Sequence, residues 1–173
     1  MTASRPDLKI EALASHHDRD SFTCGVDSLD RYLRTQASQD VRRKANGVFI
    51  LVEPDRPEVV LGYYTLCATG VAQGNVPAAA RKHIPRYPLV SATLVGRLAV
   101  SEARQGERLG AMLLADAVQR AYASAATVGS SMLVVDAISE RAAAFYEGNG
   151  FVRLPDSLRL VLSMHAIQRL VEP

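Results

Sequence analysis

No apolar run in this chain approaches the roughly twenty residues that a bilayer-spanning helix needs, and the longest are only strand-length. A helical membrane anchor is therefore not expected. The opening residues carry neither the basic nor the apolar block of a secretory leader, so the cytoplasm is the expected location. Cysteine is scarce. Cys24 and Cys67 stand far apart, without the Cys/His spacing of a zinc site or the density of a disulfide scaffold. Both read as small, partly buried side chains, and no metal is expected. There is no internal repeat and no low-complexity tract. The net charge of +2 is too small by itself to announce a nucleic-acid partner.

What the chain does have is the balance of a soluble globular protein: 48% hydrophobic against 22% charged residues over 173 positions, enough for one core of ordinary size. A single domain over residues 1–173 is expected. Asp27 or Ser28 can cap a helix whose apolar positions Leu29, Tyr32, Leu33, Ala37 and Val41 recur at helical spacing. Asn46-Gly47 closes it before a strand over Val48–Glu53. A turn at Pro54–Pro57 leads to a second strand over Val59–Ala68, so the two read as an antiparallel hairpin. From Gly70 to Pro88 a long loop broken by Gly74, Pro77, Pro85 and Pro88 is the candidate wall of an acceptor site, since loops of that length are uncommon unless functional or mobile. Further strands are expected over Ser131–Asp136 and Leu158–Met164, with a short helical tail from His165. Positive charge gathers in two places, at Arg31, Arg34, Arg42, Arg43 and Lys44, and at Arg81, Lys82, His83 and Arg86. Both could face a polyanion, and both could equally be solvated faces.

The most informative stretch runs from Leu94 to Leu114. Leu94–Val100 reads as a buried strand, Ser101–Arg104 as a polar turn, and Gln105-Gly106-Glu107-Arg108-Leu109-Gly110 as the start of a helix. Glycines there leave backbone N–H groups open, and with the positive end of the helix dipole they favour a pyrophosphate. Arg104 and Arg108 add charged donors. On the following helix, Leu109, Met112, Leu113, Ala117 and Ala121 form an apolar stripe that reads as core packing. A second short helix is expected from Ser139, its N-cap, to Gly148-Asn149-Gly150, carrying Ala143, Ala144, Phe145 and Tyr146.

Gln105, Arg108 and Gly110 resemble the acyl-CoA motif of the GNAT acetyltransferase superfamily: Gln or Arg, two residues, Gly, one residue, then Gly or Ala. Arg108 stands where that pattern has its central glycine, which leaves the backbone less free, and its side chain is expected to take over part of the phosphate contact. The segment Phe145-Tyr146-Glu147-x-x-Gly150-Phe151 is a second hallmark of the superfamily. With Phe22-Thr-Cys-Gly25 to Leu33, Leu61-Gly-Tyr-Tyr64 and Gly96-Arg97-Leu98-Ala99-Val100, the chain resembles, from about Leu8 to Met164, the acetyltransferase toxins of bacterial type II toxin–antitoxin modules.

The resemblance implies an α/β (α+β) GNAT fold, a central mixed, mostly antiparallel sheet splayed at the acyl-CoA site and flanked by helices. It implies acetyl-CoA as cofactor, with the backbone of Leu98, Ala99 and Val100 along the pantetheine arm, Gln105 to Ala111 around the pyrophosphate, and Phe145 also at the cofactor. Tyr146 corresponds to the general acid that protonates the departing thiolate; an ordinary phenol, with a pKa of about 10, stays protonated at neutral pH. No residue stands out as a base. An α-amine titrates at roughly 7.7 to 8.0 and needs less help than a lysine amine at about 10.4, which favours an α-amine acceptor. Glu102, His83 and Asp136 are weak candidates for a base, while His16, His17 and His165 read as surface or structural.

The implied activity is acetylation of the α-amine of aminoacyl-tRNA, which halts translation, with Arg42, Arg43, Lys44, Arg81, Lys82 and Arg86 as candidate tRNA contacts. The implied partners are a ribbon-helix-helix antitoxin, operator DNA through the antitoxin complex, and a second copy in a homodimer. Two alternatives stay open: a GNAT enzyme acting on a small-molecule amine or a protein terminus, and a mainly regulatory CoA- or DNA-binding module.

Overall fold

The computed structural model describes residues 7–172. Seven strands lie in the order β1-β2-β3-β4-β5-β7-β6, where β1 is Lys9–Ala12, β2 Gly47–Val52, β3 Gly62–Ala72, β4 Leu89–Val100, β5 Met132–Asp136, β6 Val152–Arg153 and β7 Arg159–Ser163. The sheet is mixed: β1 with β2, β5 with β7 and β6 with β7 run antiparallel, and β4 with β5 parallel. The β4–β5 register ends at Val95 opposite Val135, and β4 continues through Gly96 to Val100. The α-helices among the described residues are α1 Asp27–Thr35, α2 Ala37–Arg42, α3 Ala78–Arg81, α4 Leu109–Ala125, α5 Glu140–Gly148 and α6 Met164–Val171. Among the described residues, no helix is long and apolar enough to cross a membrane. The chain groups into two compact units, one running to Thr65 and including Arg97–Asp116, the other formed by Leu66–Gly96 and the residues from Ala117 onward.

In the first unit, Phe22, Leu29, Tyr32, Leu33, Ala37, Ile50, Val52 and Tyr63 form the core. The expected helix over 27–41 is two helices, broken at Gln36, whose φ of −119° leaves helical geometry. Neither Asp27 nor Ser28 caps it. Val26 holds the N-cap position without a side-chain bond, and Asp30 reaches back instead to the Cys24 N–H at 2.9 Å and the Thr23 hydroxyl at 3.2 Å. That bond ties the chain two residues before the N-cap to the first turn of the helix. β3 passes so close to its neighbours that a Cβ on Gly62 would stand 2.8 Å from the Ala99 carbonyl oxygen and 2.9 Å from Leu113 Cδ1.

In the second unit, Val71, Val76, Ala80, Ile84, Val90, Met132, Val134 and Val161 form the core. The expected loop from Gly70 to Pro88 is largely structured. β3 extends to Ala72, a 3-10 turn covers Gln73–Asn75, and Pro77 opens α3 over an Ala-rich run that favours helix. On α4 the buried residues include Leu109, Leu113, Leu114, Ala117 and Ala121, whereas Met112, expected in the stripe, is 37% exposed. Positions four apart from Leu109 stay on one face, and Met112 falls off it.

Candidate active site

The first unit holds the cradle. β4 ends at Val100, a 3-10 turn covers Glu102–Arg104, and α4 begins at Leu109. The Arg108 carbonyl accepts from the Met112 N–H, so the N–H groups of Leu109, Gly110 and Ala111 lie in the open first turn of the helix. Gly106 (φ +84°) and Arg108 (φ +63°) both take the left-handed conformation, and a Cβ on Gly106 would meet nothing within 4 Å. Arg108 thus keeps the backbone that glycine adopts freely, at a cost of about 1–2 kcal/mol for a residue with a Cβ. Its side chain is exposed. An open loop followed by a helix start suits a diphosphate.

Polar side chains of the turn hold its shape. The Gln105 amide donates to the Cys24 carbonyl at 3.0 Å and the Val100 carbonyl at 3.2 Å, and the Glu102 N–H donates to the Thr23 carbonyl at 2.9 Å. The Phe22–Gly25 segment is therefore stitched along the turn. Gly25 fits there because its φ of +88° is a conformation that glycine adopts freely. Arg104, expected as a charged donor toward a ligand, is committed elsewhere: it bonds Glu53 at 2.6 Å and Glu107 at 2.7 and 3.2 Å. Those two carboxylates drive its guanidinium pKa further up. Arg104 braces the turn rather than opening onto it.

The second unit holds Tyr146. The Ser139 hydroxyl caps α5 by accepting from the Ala142 N–H at 3.1 Å, as expected. At the other end Gly150 (φ +93°) turns the chain so that the Phe151 N–H donates to the Tyr146 carbonyl at 3.2 Å. Tyr146 is thereby held edge-on between Phe145, at 5.2 Å, and Phe151, at 5.7 Å. It is only 7% exposed, and burial alone pushes its phenol up to about 12. A proton held that firmly is available for donation at any physiological pH.

The Acetyltransferase (GNAT) domain profile matches residues 45–153. The chain is 34% identical over 155 residues to the tRNA-acetylating toxin of Mycobacterium tuberculosis, covering 89% of this chain and 90% of that one. This chain belongs to the GNAT acetyltransferases. Among solved structures it is similar to AtaT complexed with acetyl-methionyl-tRNAfMet (TM-score 0.87, 32% identity, 95% of this chain and 99% of that one). It is similar too to a mutant of KacT (TM-score 0.88, 30% identity, 94% and 98% covered). It is similar as well to AtaTR bound with AcCoA (TM-score 0.83, 31% identity, 95% and 98% covered) and to the AtaT–AtaR complex bound to DNA (TM-score 0.74, 29% identity, 94% and 99% covered).

The other candidate residues of this GNAT chain are distributed as follows. Leu98 and Val100 are half-buried and Ala99 buried at the end of β4; Phe145 is half-buried on α5. Arg42, Arg43 and Lys44 are exposed in the first unit, and Arg81, Lys82 and Arg86 in the second. Arg81 bonds the Val76 carbonyl at 2.8 and 3.1 Å, so it closes its own loop. Of the candidate bases, Asp136 forms a two-pronged pair with Arg159 at 2.7 and 2.9 Å. Arg97, which sequence reasoning passed over, lies 3.5 Å from the Tyr32 ring centroid, and the Tyr32 hydroxyl donates to Asp40 at 2.9 Å. Nothing in the chain's patterning pairs those positions, which are brought together only by folding.

Glu11, His16 and His17 also converge, their ligand-type atoms within 4.8 Å of one another. His17 is buried, and its Nδ1 accepts from the Ala14 N–H at 3.0 Å. Its proton therefore sits on Nε2, which donates to Glu11 at 2.8 Å. This tautomer builds a hydrogen-bonded clasp and turns no lone pair toward a cation. The His17 bond is the main cause holding the Glu11 carboxyl down at about 2.

Proposed function

We propose that this chain is an acetyl-CoA-dependent N-acetyltransferase toxin that acetylates the α-amine of aminoacyl-tRNA and thereby blocks translation, residues 1–173 acting as one domain. The observation that carries the reading is the likeness to AtaT in complex with acetyl-methionyl-tRNAfMet, over nearly the whole of both chains. The cradle supports it, because its left-handed turn and open helix start fit the diphosphate of acetyl-CoA. That donor supplies an acetyl group already activated as a thioester. The backbone of Leu98 to Val100 orients the pantetheine arm, and the N–H groups from Gly106 to Ala111, with the Arg108 side chain, hold the phosphates. Phe145 borders the cofactor. Tyr146 keeps a proton on its phenol oxygen for the sulfur that leaves.

Asp136 is bound to Arg159, and an α-amine, with a pKa of roughly 7.7 to 8.0, has a neutral fraction of its own at physiological pH. The reading therefore needs no strong base. Arg42, Arg43, Lys44, Lys82 and Arg86 are proposed as tRNA contacts. The partners are a ribbon-helix-helix antitoxin, operator DNA through that complex, and a second copy in a homodimer; the place of action is the cytoplasm. The test is transfer of labelled acetyl from acetyl-CoA to a bulk charged tRNA pool, with deacylated tRNA and Tyr146→Phe as controls. Label on charged tRNA, lost in the variant, is the expected result. Acetyl-CoA binding without label on tRNA would assign the chain to a small-molecule or protein amine.

A further inference from the structure

Within the second unit, a cleft of about 540 Å³ opens beside α3, β7 and the start of α6. Its ionisable lining groups are Lys82, His83, His165 and Arg169, and no carboxylate lines it. All four are exposed. The two imidazoles stack face to face, with centroids 3.8 Å apart and planes 12° from parallel. At the floor, the Ser163 hydroxyl caps α6 by accepting from the Ala166 N–H at 3.1 Å, which sets the positive end of that helix at the cleft.

The surrounding charges are engaged elsewhere. Arg81 bonds the Val76 carbonyl, Arg153 of β6 pairs with Glu140 and Glu147, Arg159 of β7 with Asp136, and Glu172 bonds Tyr122 and Gln168. Like charges gathered without a counter-charge repel one another, and His83 yields because it can shed a proton. Desolvation, then His165, Lys82 and Arg169, hold His83 below the ordinary imidazole range. An anion entering the cleft reverses that balance. By linkage, whatever favours the protonated rings must itself bind more tightly when they are protonated.

We propose that this cleft seats backbone phosphate of the tRNA, and that binding draws a proton onto the stacked His83–His165 pair; the tRNA identity rests on the acetyltransferase reading above. A nucleic acid suits it better than a lone ion. The cleft has the volume of a ligand-sized site, and its flat imidazole faces can stack on bases.

The test is fluorescence anisotropy of labelled, deacylated bulk tRNA with the full chain at fixed ionic strength, at about pH 5.5 and about pH 7.5, either side of the imidazole range. Wild type should bind several-fold more tightly at the lower pH. His83→Gln with His165→Gln should flatten that dependence, and Arg169→Ala should weaken binding at both pH values and lower the salt slope by about one. All these side chains are exposed, so the fold should tolerate the changes, and circular dichroism checks it. Variants that match wild type in pH and salt dependence would sink the proposal. Acetyl transfer to charged tRNA, measured in parallel on wild type, separates the two failures: transfer with indifferent variants sinks the cleft alone. Histidine-ring NMR shifts caused by inorganic phosphate, without any tRNA binding, would overturn it in favour of a free ion. Competition by poly-glutamate but not by RNA would overturn it in favour of an acidic protein segment.

Discussion

Arg108 combines two properties that a single substitution separates. Its backbone sits at φ +63°, and its exposed side chain stands beside an open helix start. Arg108→Gly removes about 1–2 kcal/mol of left-handed strain but gives back about 0.5–1 kcal/mol through the freer unfolded chain. The net gain is about 0–1.5 kcal/mol, which for a chain of this length raises Tm by up to about 6 °C. Affinity should move the other way. A charge-assisted hydrogen bond from the guanidinium to phosphate is worth about 1.5–3 kcal/mol, so acetyl-CoA should bind roughly 10- to 100-fold more weakly. Thermal unfolding without ligand reads the first effect and calorimetric titration with acetyl-CoA the second. A fall in Tm would refute the strain argument. Undiminished affinity would refute any role for the side chain, leaving phosphate binding to the backbone alone.

Three other outcomes follow from the geometry. Tyr146→Phe should lower kcat by about 10²–10⁴ while acetyl-CoA still binds, and because the phenol is pushed up to about 12, the wild-type rate should show no loss from its ionisation as pH rises to about 9. Gly62→Ala should destabilise by about 1–3 kcal/mol, lowering Tm in a thermal melt, because the new methyl meets the Ala99 carbonyl and Leu113 with no room to relax. Glu11 titrates at about 2 when folded, so its contribution is present above the ordinary carboxylate range and lost as pH falls through that range toward about 2. The stability difference between wild type and Glu11→Gln in urea titrations should therefore shrink across that window.

The readings that held are those in which neighbouring residues decide the outcome. Ser139 caps α5, Gly150 ends the turn behind it, and β5 and β7 appear within a residue or so of their apolar runs. Those that failed depend on partners distant in sequence. The break at Gln36 has no proline or glycine to announce it. β1, Lys9–Ala12, carries too few apolar residues to stand out and exists through pairing with β2. Arg104 looked like a ligand donor because its partner Glu53 lies far back in the sequence, and Met112 matched an apolar pattern whose face lies elsewhere. At the site, the motif located the cradle but not the segment that braces it, since Phe22–Gly25 meets Gln105 only once folded.

That bracing bears on when a newly made chain can complete its cradle. The Gln105 amide and the Cys24 carbonyl are 81 residues apart in the chain. At roughly 5–20 residues per second on the ribosome, several seconds separate their synthesis, and a contact of such long range forms late in folding as well. The phosphate-binding turn cannot be finished on a half-made chain. A nascent chain lacks this brace until Gln105 has been made and has folded back against Cys24.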